Sequence, residues 1–461
     1  MHSLVDEIER ERETIGVLAG NLDLNANSSP LKFIDLFAGL GGFHVALDNL
    51  GMECVFASEL DKTLREIYTN NFFKDYTNPP VRGDVHEIEA AHIPTHDFLC
   101  AGFPCQPFSQ AGKRQGLSDK ANGNHFLKIL EILEYHRPKF FLLENVPNLK
   151  GHDKGRTWSR IHRELSNDYE VNYDIISPVQ VGVPHSRKRV FIFGILKNEN
   201  INVTFPKFNP GIIEPTFDQV RQDGLDGTTI SAKHSKYISF WQEFAEKIPD
   251  GDMPGFPIWA TEFGATYPFE NSTPHSIIEH ELIKYKGSFG RPIRSKDDKA
   301  TIPKYALTEQ ARFPRWKVNY IRKNREFYEK HRSWINPMLS RLENAELSFQ
   351  KFEWNCGNAA SRSFKDKVLQ FRPSGLRVRH GNHAPTLVLI STQIPIVYDY
   401  ISSNYRRINF EEGKSLQSLE SLMNLPNTPK VLSALGNAVN SKVVELLTKN
   451  VILAHTQSPK I

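Results

Sequence analysis

The chain of 461 residues is 39% hydrophobic and 24% charged, which is typical of a globular protein with two or three domains. Its formal net charge of +4 is too small to identify an acidic partner by itself. The longest apolar runs, such as residues 140–143 and 190–193, are far too short to cross a bilayer. Four cysteines without Cys-x-x-Cys spacing favour neither a disulfide framework nor a structural zinc site. Because the N-terminus is charged and lacks an apolar signal region, we expect a cytoplasmic protein.

Residues 1–30 form an N-terminal extension in which apolar residues at helical spacing predict a surface helix over 4–19. From residue 31 to 196, apolar runs alternate with amphipathic segments, which predicts an α/β domain with a parallel sheet covered by helices on both sides. The predicted strands are Lys32–Ala38, Glu53–Ser58, Asp97–Ala101, Lys139–Leu143 and Lys188–Leu196. The clearest helical pattern places on one face Phe126, Ile129, Leu130 and Leu133. Sheets of this kind bind ligands at the carboxyl ends of their strands.

The alternation stops after residue 196, and residues 197–371 predict a second, smaller domain of irregular structure. Residues 201–371 contain 25 Lys and Arg against 21 Asp and Glu, so this region carries the whole net charge of the chain. The segment 313–328 mixes cations with aromatic residues, which suits either a phosphate-facing surface or an amphipathic helix that buries Trp316, Tyr320 and Phe327. Regular patterns return over Leu376–Thr392, and a final helix is predicted over Asn437–Leu453. Residues 372–461 are therefore predicted to rejoin the first domain.

A glycine-rich turn follows the first predicted strand, in the segment Phe33–Phe43. Glycines let the backbone approach a ligand closely, so the turn is a candidate binding site for a nucleotide-like cofactor, with a purely structural turn as the alternative. Glu59 ends the second strand, where a carboxylate can hold two ribose hydroxyls. Asp84 ends the third and could accept a hydrogen bond from an adenine amino group. Three such features at successive strand ends favour the cofactor interpretation.

Cys105 lies between two prolines at the next strand-to-loop junction, where a rigid turn would hold its sulfur outward as a nucleophile. Cys100, inside the strand, is interpreted as a core residue. Glu144 closes another apolar strand, and burial would raise its pKa and suit it to donate a proton to a ring nitrogen. Arg187 and Arg189 are placed on one face of the last strand by alternation. Either could polarise a base carbonyl or bind phosphate; a cationic surface strand is the alternative.

These blocks, in this order, resemble the C5-cytosine DNA methyltransferases, particularly the bacterial enzymes of restriction–modification systems. The resemblance rests on Pro-Cys-Gln at 104–106, Glu-Asn-Val at 144–146 and Arg-x-Arg at 187–189, and it covers nearly everything except 1–30 and 197–371. The other matching stretches are 35–43, 58–61, 83–85, 102–112, 182–194, 372–375, 384–386 and 435–439. One departure is His185, where the family usually has Gln, which affects only the local packing.

The resemblance implies a Rossmann-like S-adenosylmethionine-dependent methyltransferase domain with a smaller, irregular target-recognition domain at 197–371. It implies that Cys105 attacks carbon 6 of a cytosine rotated out of double-stranded DNA, that Glu144 contacts N3 and the amino group, that Arg189 contacts the base carbonyl and that Arg187 supports the site. The cofactor pocket would comprise Phe37, Ala38, Gly39, Leu40, Gly41, Gly42, Glu59, Leu60, Asp84, Val85 and Asn437. No metal is needed, and residues 106–123 resemble the mobile loop that closes on DNA. We further expect a monomer that protects host DNA from a restriction endonuclease without forming a stable complex with it.

Two other functions would fit part of this pattern. A transfer-RNA cytosine methyltransferase shares these core motifs, but such proteins carry a Cys-Phe-Thr signature, which does not occur in this sequence. A DNA-binding protein with an inactive methyltransferase fold would be favoured by loss of the cysteine, of Glu144 or of the glycines, all of which are present.

Overall fold

The computed structural model describes residues 29–103, 125–197, 206, 208, 214–224, 229–387 and 393–457, and the side chains of these up to 452. The described chain forms two compact units. The first contains the described residues up to Pro215, Pro385–Leu387 and those from Phe410 onward. The second contains Thr216–Ala384 and the described part of Val388–Asn409. These boundaries differ from the predicted limits at 196/197 and 371/372, and the predicted surface helix over 4–19 lies outside the described residues.

The elements are named in chain order. The strands are β1 (Lys32–Leu36), β2 (Glu53–Ser58), β3 (Val81–Arg82), β4 (Phe98–Gly102), β5 (Phe140–Asn145), β6 (Tyr169–Ile176), β7 (His185–Ser186), β8 (Arg189–Leu196), β9 (Ile258–Trp259), β10 (Lys351–Asn355), β11 (Lys367–Arg372), β12 (Gly375–His380), β13 (Ala384–Pro385), β14 (Ile396–Asp399) and β15 (Asn404–Arg407). The α-helices are α1 (Gly42–Asp48), α2 (Lys62–Phe72), α3 (His125–His136), α4 (Arg156–Leu165), α5 (Ala232–Lys247), α6 (Glu279–Leu282), α7 (Arg315–Leu339), α8 (Phe410–Leu416), α9 (Pro429–Asn437) and α10 (Ser441–Gln457).

The first unit is built on a seven-stranded sheet in the order β3-β2-β1-β4-β5-β8-β6. The strands from β3 to β5 are parallel, as the alternating sequence pattern predicts. The strand predicted over Lys188–Leu196 is present as β8, but it runs antiparallel to β5 and β6, so the expectation of a parallel sheet was wrong there. The chain from β6 to β8 contains only a short helical turn and β7, and a connection without a crossover helix pairs strands antiparallel.

Both faces of this sheet are apolar because successive residues of a strand point to opposite sides. Phe33 of β1 packs with α1 and α10 on one face, whereas its neighbour Ile34 packs with α3 and α4 on the other. The predicted face of α3 is confirmed, with Leu130 only partly buried. The expected helices therefore cover both sides. The helix predicted over Asn437–Leu453 is present as two pieces, since Asn437 ends α9 and Ser441 begins α10.

The second unit has a six-stranded sheet in the order β15-β14-β11-β12-β10-β9, with α5 and α7 packed in its main core. Trp241 of α5 is fully buried and stacks on Phe352 of β10, with ring centroids 5.0 Å apart. The long stretch between β9 and α7 contains only α6 and short helical turns, in line with the irregular pattern. Residues 372–407, predicted to rejoin the first domain, instead supply the end of β11 and all of β12, β14 and β15, apart from Pro385–Leu387.

The cationic and aromatic segment 313–328 lies mostly in α7, which is an amphipathic helix. Phe327 is buried as that alternative expected, but Trp316 is 56% exposed. The buried side of the helix also includes Ile321, Tyr328, Ile335, Met338 and Leu339, while Arg322 and Lys323 are exposed. One helix thus combines an apolar face that anchors it in the unit with a solvent-facing cationic face.

Candidate active site

The carboxyl ends of β1, β2, β4 and β5 surround a cavity of about 430 Å³ in the first unit. Nine of the eleven predicted cofactor residues line it: Phe37, Ala38, Gly39, Gly42, Glu59, Leu60, Asp84, Val85 and Asn437. Glu144, the candidate proton donor, lines the same cavity. Strand ends that are far apart in sequence are brought together because parallel strands finish at one edge of the sheet.

The turn between β1 and α1 has a backbone that only certain residues tolerate. Gly39 and Gly41 have φ values of 56° and 86°, and Phe37, which is not a glycine, has a φ of 57°. A Cβ on Gly42 would lie 2.5 Å from the carbonyl oxygen of Val439. Leu40 and Gly41 do not line the cavity; Leu40 is buried and Gly41 caps α1. Both residues therefore support the turn without facing the cavity.

Glu59 follows β2 and is held by the backbone on both sides. The N–H of Gly39 donates to its Oε2 and the N–H of Asp61 donates to its Oε1, each at 2.8 Å. Each carboxylate oxygen has more than one lone pair, so both can still accept from a ligand. The contact with Gly39 also ties the acidic residue to the glycine turn.

Asp84 begins a short helical turn, Val85–Glu87, by accepting a hydrogen bond at Oδ1 from the N–H of His86 at 2.9 Å. This bond fixes the direction of a carboxylate at the cavity wall. Val85, beside it, is buried and contributes an apolar surface to the same wall. Glu59 and Asp84 thus give the cavity two oriented acceptors.

Glu144 lies near the end of β5 and is only 7% exposed. Its Oε1 is 2.9 Å from Nε of Arg189, so the carboxyl group is paired with that guanidinium. Burial raises the pKa of Glu144, and the charges of Arg189 and Arg187 act in the opposite direction. The side chain is therefore a buried acid at the cavity whose side-chain partner is Arg189.

The two arginines have different surroundings, and neither is on a surface strand. Arg189 begins β8 and faces Glu144. Arg187 precedes the strand and is 2% exposed; its guanidinium donates to the carbonyl oxygens of Gly436 at 2.6 Å and Asn437 at 3.2 Å. Burial, reinforced by Arg189, lowers the pKa of Arg187 to about 9. Arg187 thus holds the backbone of Asn437, a cavity residue, in place.

Cys105 lies outside the described residues, as does the loop predicted over 106–123. The described residues nevertheless show what holds the segment that precedes it. Asn145 at the end of β5 donates from Nδ2 to the carbonyl oxygen of Phe103 at 2.9 Å and accepts at Oδ1 from the N–H of Val146 at 2.8 Å. Asn145 therefore fixes the end of the segment that leads into Pro104 and Cys105.

Several cavity residues were not predicted from the sequence. They are Phe43, Ser58, Leu64, His86, Gly102, His125, Ala434, Ala438 and Val439.

His185, the departure from the family pattern, is fully buried and its Nδ1 is 2.9 Å from the carbonyl oxygen of Leu416. Burial lowers its pKa to about 3, so it is neutral and holds α8.

Comparison with known proteins gives this site a family. Residues 31–256 match the family model described as C-5 cytosine-specific DNA methylase. This region belongs to that family. The match begins just before β1 and takes in every strand of the first sheet.

Curated relatives agree over the same region. The chain is 46% identical over 180 residues to the Type II methyltransferase M.DsaV of Dactylococcopsis salina, covering 38% of this chain and 50% of the relative. It is 40% identical over 179 residues to M.HhaI of Haemophilus parahaemolyticus, covering 38% and 53%. For M.HpaII of Haemophilus parainfluenzae the identity is 42% over 225 residues, covering 47% and 59%. The chain thus spans about half the length of the curated relatives it matches.

Solved structures extend the comparison to the fold. An E. coli prophage protein assigned as a candidate DNA modification methyltransferase matches with a TM-score of 0.50 at 18% identity, covering 93% of this chain and 100% of that one. A mutant of the Spodoptera frugiperda protein DNMT2 matches with a TM-score of 0.50 at 16% identity, covering 92% and 99%. At these identities the likeness concerns the fold alone, and it agrees with the expected α/β methyltransferase fold.

No helix among the described residues is long and apolar enough to span a membrane. No group of three or more His, Cys, Asp or Glu side chains in the same part of the chain is placed to hold a metal ion.

Proposed function

We propose that this protein methylates carbon 5 of cytosine in a specific double-stranded DNA sequence, with S-adenosylmethionine as the methyl donor. The observation that carries the proposal is the single cavity that joins the glycine turn, Glu59 and Asp84 to the buried acid Glu144. A cofactor site and a base-protonating group are thus adjacent, as a methyl transfer to a base requires.

The cavity fits a nucleoside cofactor. Its volume lies within the range of about 300–1,000 Å³ that is usual for small-molecule sites, and it combines apolar walls with the oriented acceptors Glu59 and Asp84. A Cβ on Gly39 would meet nothing within 4 Å, so the turn leaves open space beside the backbone. Glu59 would bind ribose hydroxyls, Asp84 an adenine amino group, and Phe37 and Val85 would pack on the base. When bound, S-adenosylmethionine supplies an electrophilic methyl group.

The chemistry of the protein's own groups starts with Cys105. Its thiolate attacks carbon 6 of a cytosine that has left the helix, which makes carbon 5 nucleophilic. Glu144, whose pKa is raised by burial, keeps its proton more readily and donates it towards N3 as charge develops on the ring. Arg189, beside Glu144, contacts the base carbonyl. Loss of the carbon-5 proton later expels the Cys105 thiolate.

Base recognition is assigned to the second unit. The region 197–371, most of which lies in that unit, carries the basic excess of the chain, and phosphate contacts supply much of the affinity of a DNA-binding protein. The exposed cations of α7, including Arg322 and Lys323, are candidates for such contacts. The core residues of the first unit serve the reaction whatever the DNA sequence.

The biological setting follows from the relatives, which are named Type II methyltransferases. We infer that the protein acts as a monomer in the bacterial cytoplasm, associated with the nucleoid, and protects host DNA from a cognate restriction endonuclease without a stable complex. Restriction digestion of DNA from cells that express the protein would identify the protected site.

The decisive experiment is transfer of a labelled methyl group from S-adenosylmethionine to duplex DNA, with transfer RNA as the competing substrate and Cys105→Ser as the matched inactive control. We expect label in DNA as 5-methylcytosine and none in transfer RNA. If label appeared only in transfer RNA, the substrate would be transfer RNA and not DNA. The absence of label from both nucleic acids would contradict the proposal.

A hybrid tests the assignment of the second unit. Residues 216–384 are exchanged for the corresponding stretch of a related enzyme, and modified DNA is mapped by bisulfite sequencing. An active hybrid should methylate the site of the donor enzyme. If it still methylates the original site, recognition lies in the first unit.

A further inference from the structure

Two histidines at the wall of the cavity have no role in the chemistry described above. His86 lies in the short helical turn after Asp84, and His125 is the first residue of α3. Both line the cavity, and Nε2 of His86 is 2.9 Å from Nδ1 of His125. The two rings thus form a hydrogen-bonded pair between elements that are 39 residues apart in sequence.

The pair supports the aromatic residue of the glycine turn. The edge of the His125 ring meets the ring of Phe37, with centroids 5.0 Å apart and an interplanar angle of 76°. Phe37 has a backbone φ of 57°, a conformation that non-glycine residues rarely adopt and that persists only when the surroundings hold it. His125, which is hydrogen-bonded to His86, contacts the Phe37 ring at the cavity wall.

We propose that His86 and His125 are positioning residues for the cofactor, which hold Phe37 at the cavity wall through a hydrogen bond that requires at least one neutral ring. The inference rests on the proposed S-adenosylmethionine site and makes cofactor affinity depend on pH in the acidic range. The bond needs one donor and one acceptor, so a pair that has taken up a proton on each ring loses it.

The charges around the pair give the direction of the effect. The titratable groups that share the cavity are the acids Asp84, Glu59 and Glu144, and Lys128, one turn along α3, is already paired with Glu131. Burial and the proximity of His86 lower the pKa of His125, while Asp84 acts in the opposite direction. The His125 ring is therefore neutral at slightly alkaline pH. Acidification adds positive charge beside a ligand that is itself a sulfonium cation, and so it weakens binding.

The test is calorimetric titration of the full chain with S-adenosylmethionine between about pH 8 and about pH 5.5, the range in which histidines titrate. Wild-type affinity should fall by about tenfold or more, since one linked proton gives up to tenfold per pH unit. The matched variant is His86→Gln with His125→Asn, whose amide groups replace the two bonded ring nitrogens and do not titrate. Because Asn lacks the ring that contacts Phe37, the affinity of this variant should be below wild type at alkaline pH and nearly constant with pH.

A second variant separates the ring contact from the hydrogen bond. His125→Phe keeps an aromatic edge against Phe37 and loses the bond to His86, so it should bind more weakly than wild type at alkaline pH and vary little with pH. Thermal unfolding of each variant checks that it is folded. If His86→Gln with His125→Asn does not fold, the single variant His86→Gln replaces it, with a smaller expected flattening of the pH profile because His125 still titrates.

The outcomes distinguish this inference from the proposed function. Wild-type protein that binds no S-adenosylmethionine at any pH contradicts the proposed function itself. Wild-type protein that binds with a pH profile matching that of the amide variant overturns the role of the histidines alone. Folded variants that lose affinity equally at every pH would make the pair merely structural, which also overturns the inference.

Discussion

In the first unit, the buried acids Glu144 and Asp35 each contact one side-chain partner, Arg189 and Tyr68 respectively, whereas the buried acids of the second unit, Glu262 and Asp399, each have three or more partners shared between both oxygens. Desolvation raises the pKa of Glu144, and it raises that of Asp35 to about 8. Backbone N–H groups and Arg406 lower the pKa of Asp399 to about 2, against the effect of burial.

The difference follows from what surrounds each acid. Glu262 accepts from the hydroxyls of Tyr267 and Tyr305 and from Nε of Arg325 at 2.9 Å. Such a network stabilises one conformation. Glu144 instead has Arg189 as its side-chain partner and lines a cavity that a substrate could enter. A buried acid with a full set of partners serves the fold, while one with few partners at a cavity is available for chemistry.

The largest expected effect is on Cys105. Cys105→Ser should lower methyl transfer by more than about 10³-fold, because removal of a nucleophile commonly costs this much or more and a serine hydroxyl ionises far less readily than a thiol. A single-turnover assay measures the loss, and calorimetry should show unchanged S-adenosylmethionine affinity.

Cys356→Ala, in the second unit, is the matched control. Burial raises the pKa of the Cys356 thiol to about 12, which makes it unreactive, so this variant should lose stability but not turnover per folded molecule.

DNA with 5-fluorocytosine at the target site should trap the wild-type enzyme covalently. An adduct that maps to a cysteine other than Cys105 would contradict the assignment.

The next effect distinguishes the two kinds of buried acid. Glu144→Gln should reduce single-turnover methyl transfer by about 10²–10⁴-fold, the usual contribution of a general acid, since an amide of the same shape has no proton to give to N3. Cofactor affinity should persist. Glu262→Gln should leave turnover per folded molecule unchanged; a similar loss of turnover in both variants would remove the distinction drawn between the two acids.

Stability gives the reverse test. Glu262→Ala should reduce the free energy of unfolding of the second unit by about 3–5 kcal/mol, the cost of removing one member of a buried ion pair, because Arg325 would remain between the rings of Tyr267 and Phe269. Five of the six tryptophans lie in the second unit, so denaturant unfolding followed by tryptophan fluorescence reports on it. An unchanged midpoint would show that the network contributes little to stability.

The first unit was predictable to the extent that local patterns determine it. Strand apolarity and the glycine turn place Phe37, Glu59, Asp84 and Glu144 at strand ends, and all four line one cavity. The roles assigned to them remain predictions. The His86–His125 contact was not predicted, because it depends on where α3 begins and on two segments 39 residues apart.

Strand direction and strand ends limited the other predictions. The position of Arg187 was predicted from alternation, but β8 begins only at Arg189, so Arg187 turns towards the carbonyl oxygens at the end of α9 instead. In the second unit, α5 was not predicted, although its buried aromatic residues Tyr237, Phe240, Trp241 and Phe244 follow helical spacing. Residues 372–461 were predicted to rejoin the first domain because regular patterns return after residue 371, yet the pairing of β12, β14 and β15 places these strands in the second sheet.

The effect that is smallest per pH unit is a difference in the pH dependence of stability. The pKa of Asp35 is about 8 in the folded chain and 3.8 ordinarily, so between these values unfolding releases a proton, and the stability of the first unit should fall by up to about 1.4 kcal/mol per pH unit as pH rises. Asp35→Asn removes this slope. The pKa of Asp399 is lowered from 3.8 to about 2, so its contribution of about 2 kcal/mol is present above pH 3.8 and is lost as pH falls towards 2.

These opposite signs can be measured in one experiment. Native-state hydrogen exchange of amides in β1 and β11 reports the opening free energy of each unit separately. Relative to wild type, Asp35→Asn should protect β1 increasingly as pH rises from about 5 to about 8, because the wild-type chain alone must keep a proton on a buried acid. Asp399→Asn should deprotect β11 by a constant amount over the same range, since that carboxylate is already fully charged. If the two variants changed protection with the same sign and slope, burial rather than the number of partners would determine the pKa of both acids. The two units would then not differ in how they hold a buried acid.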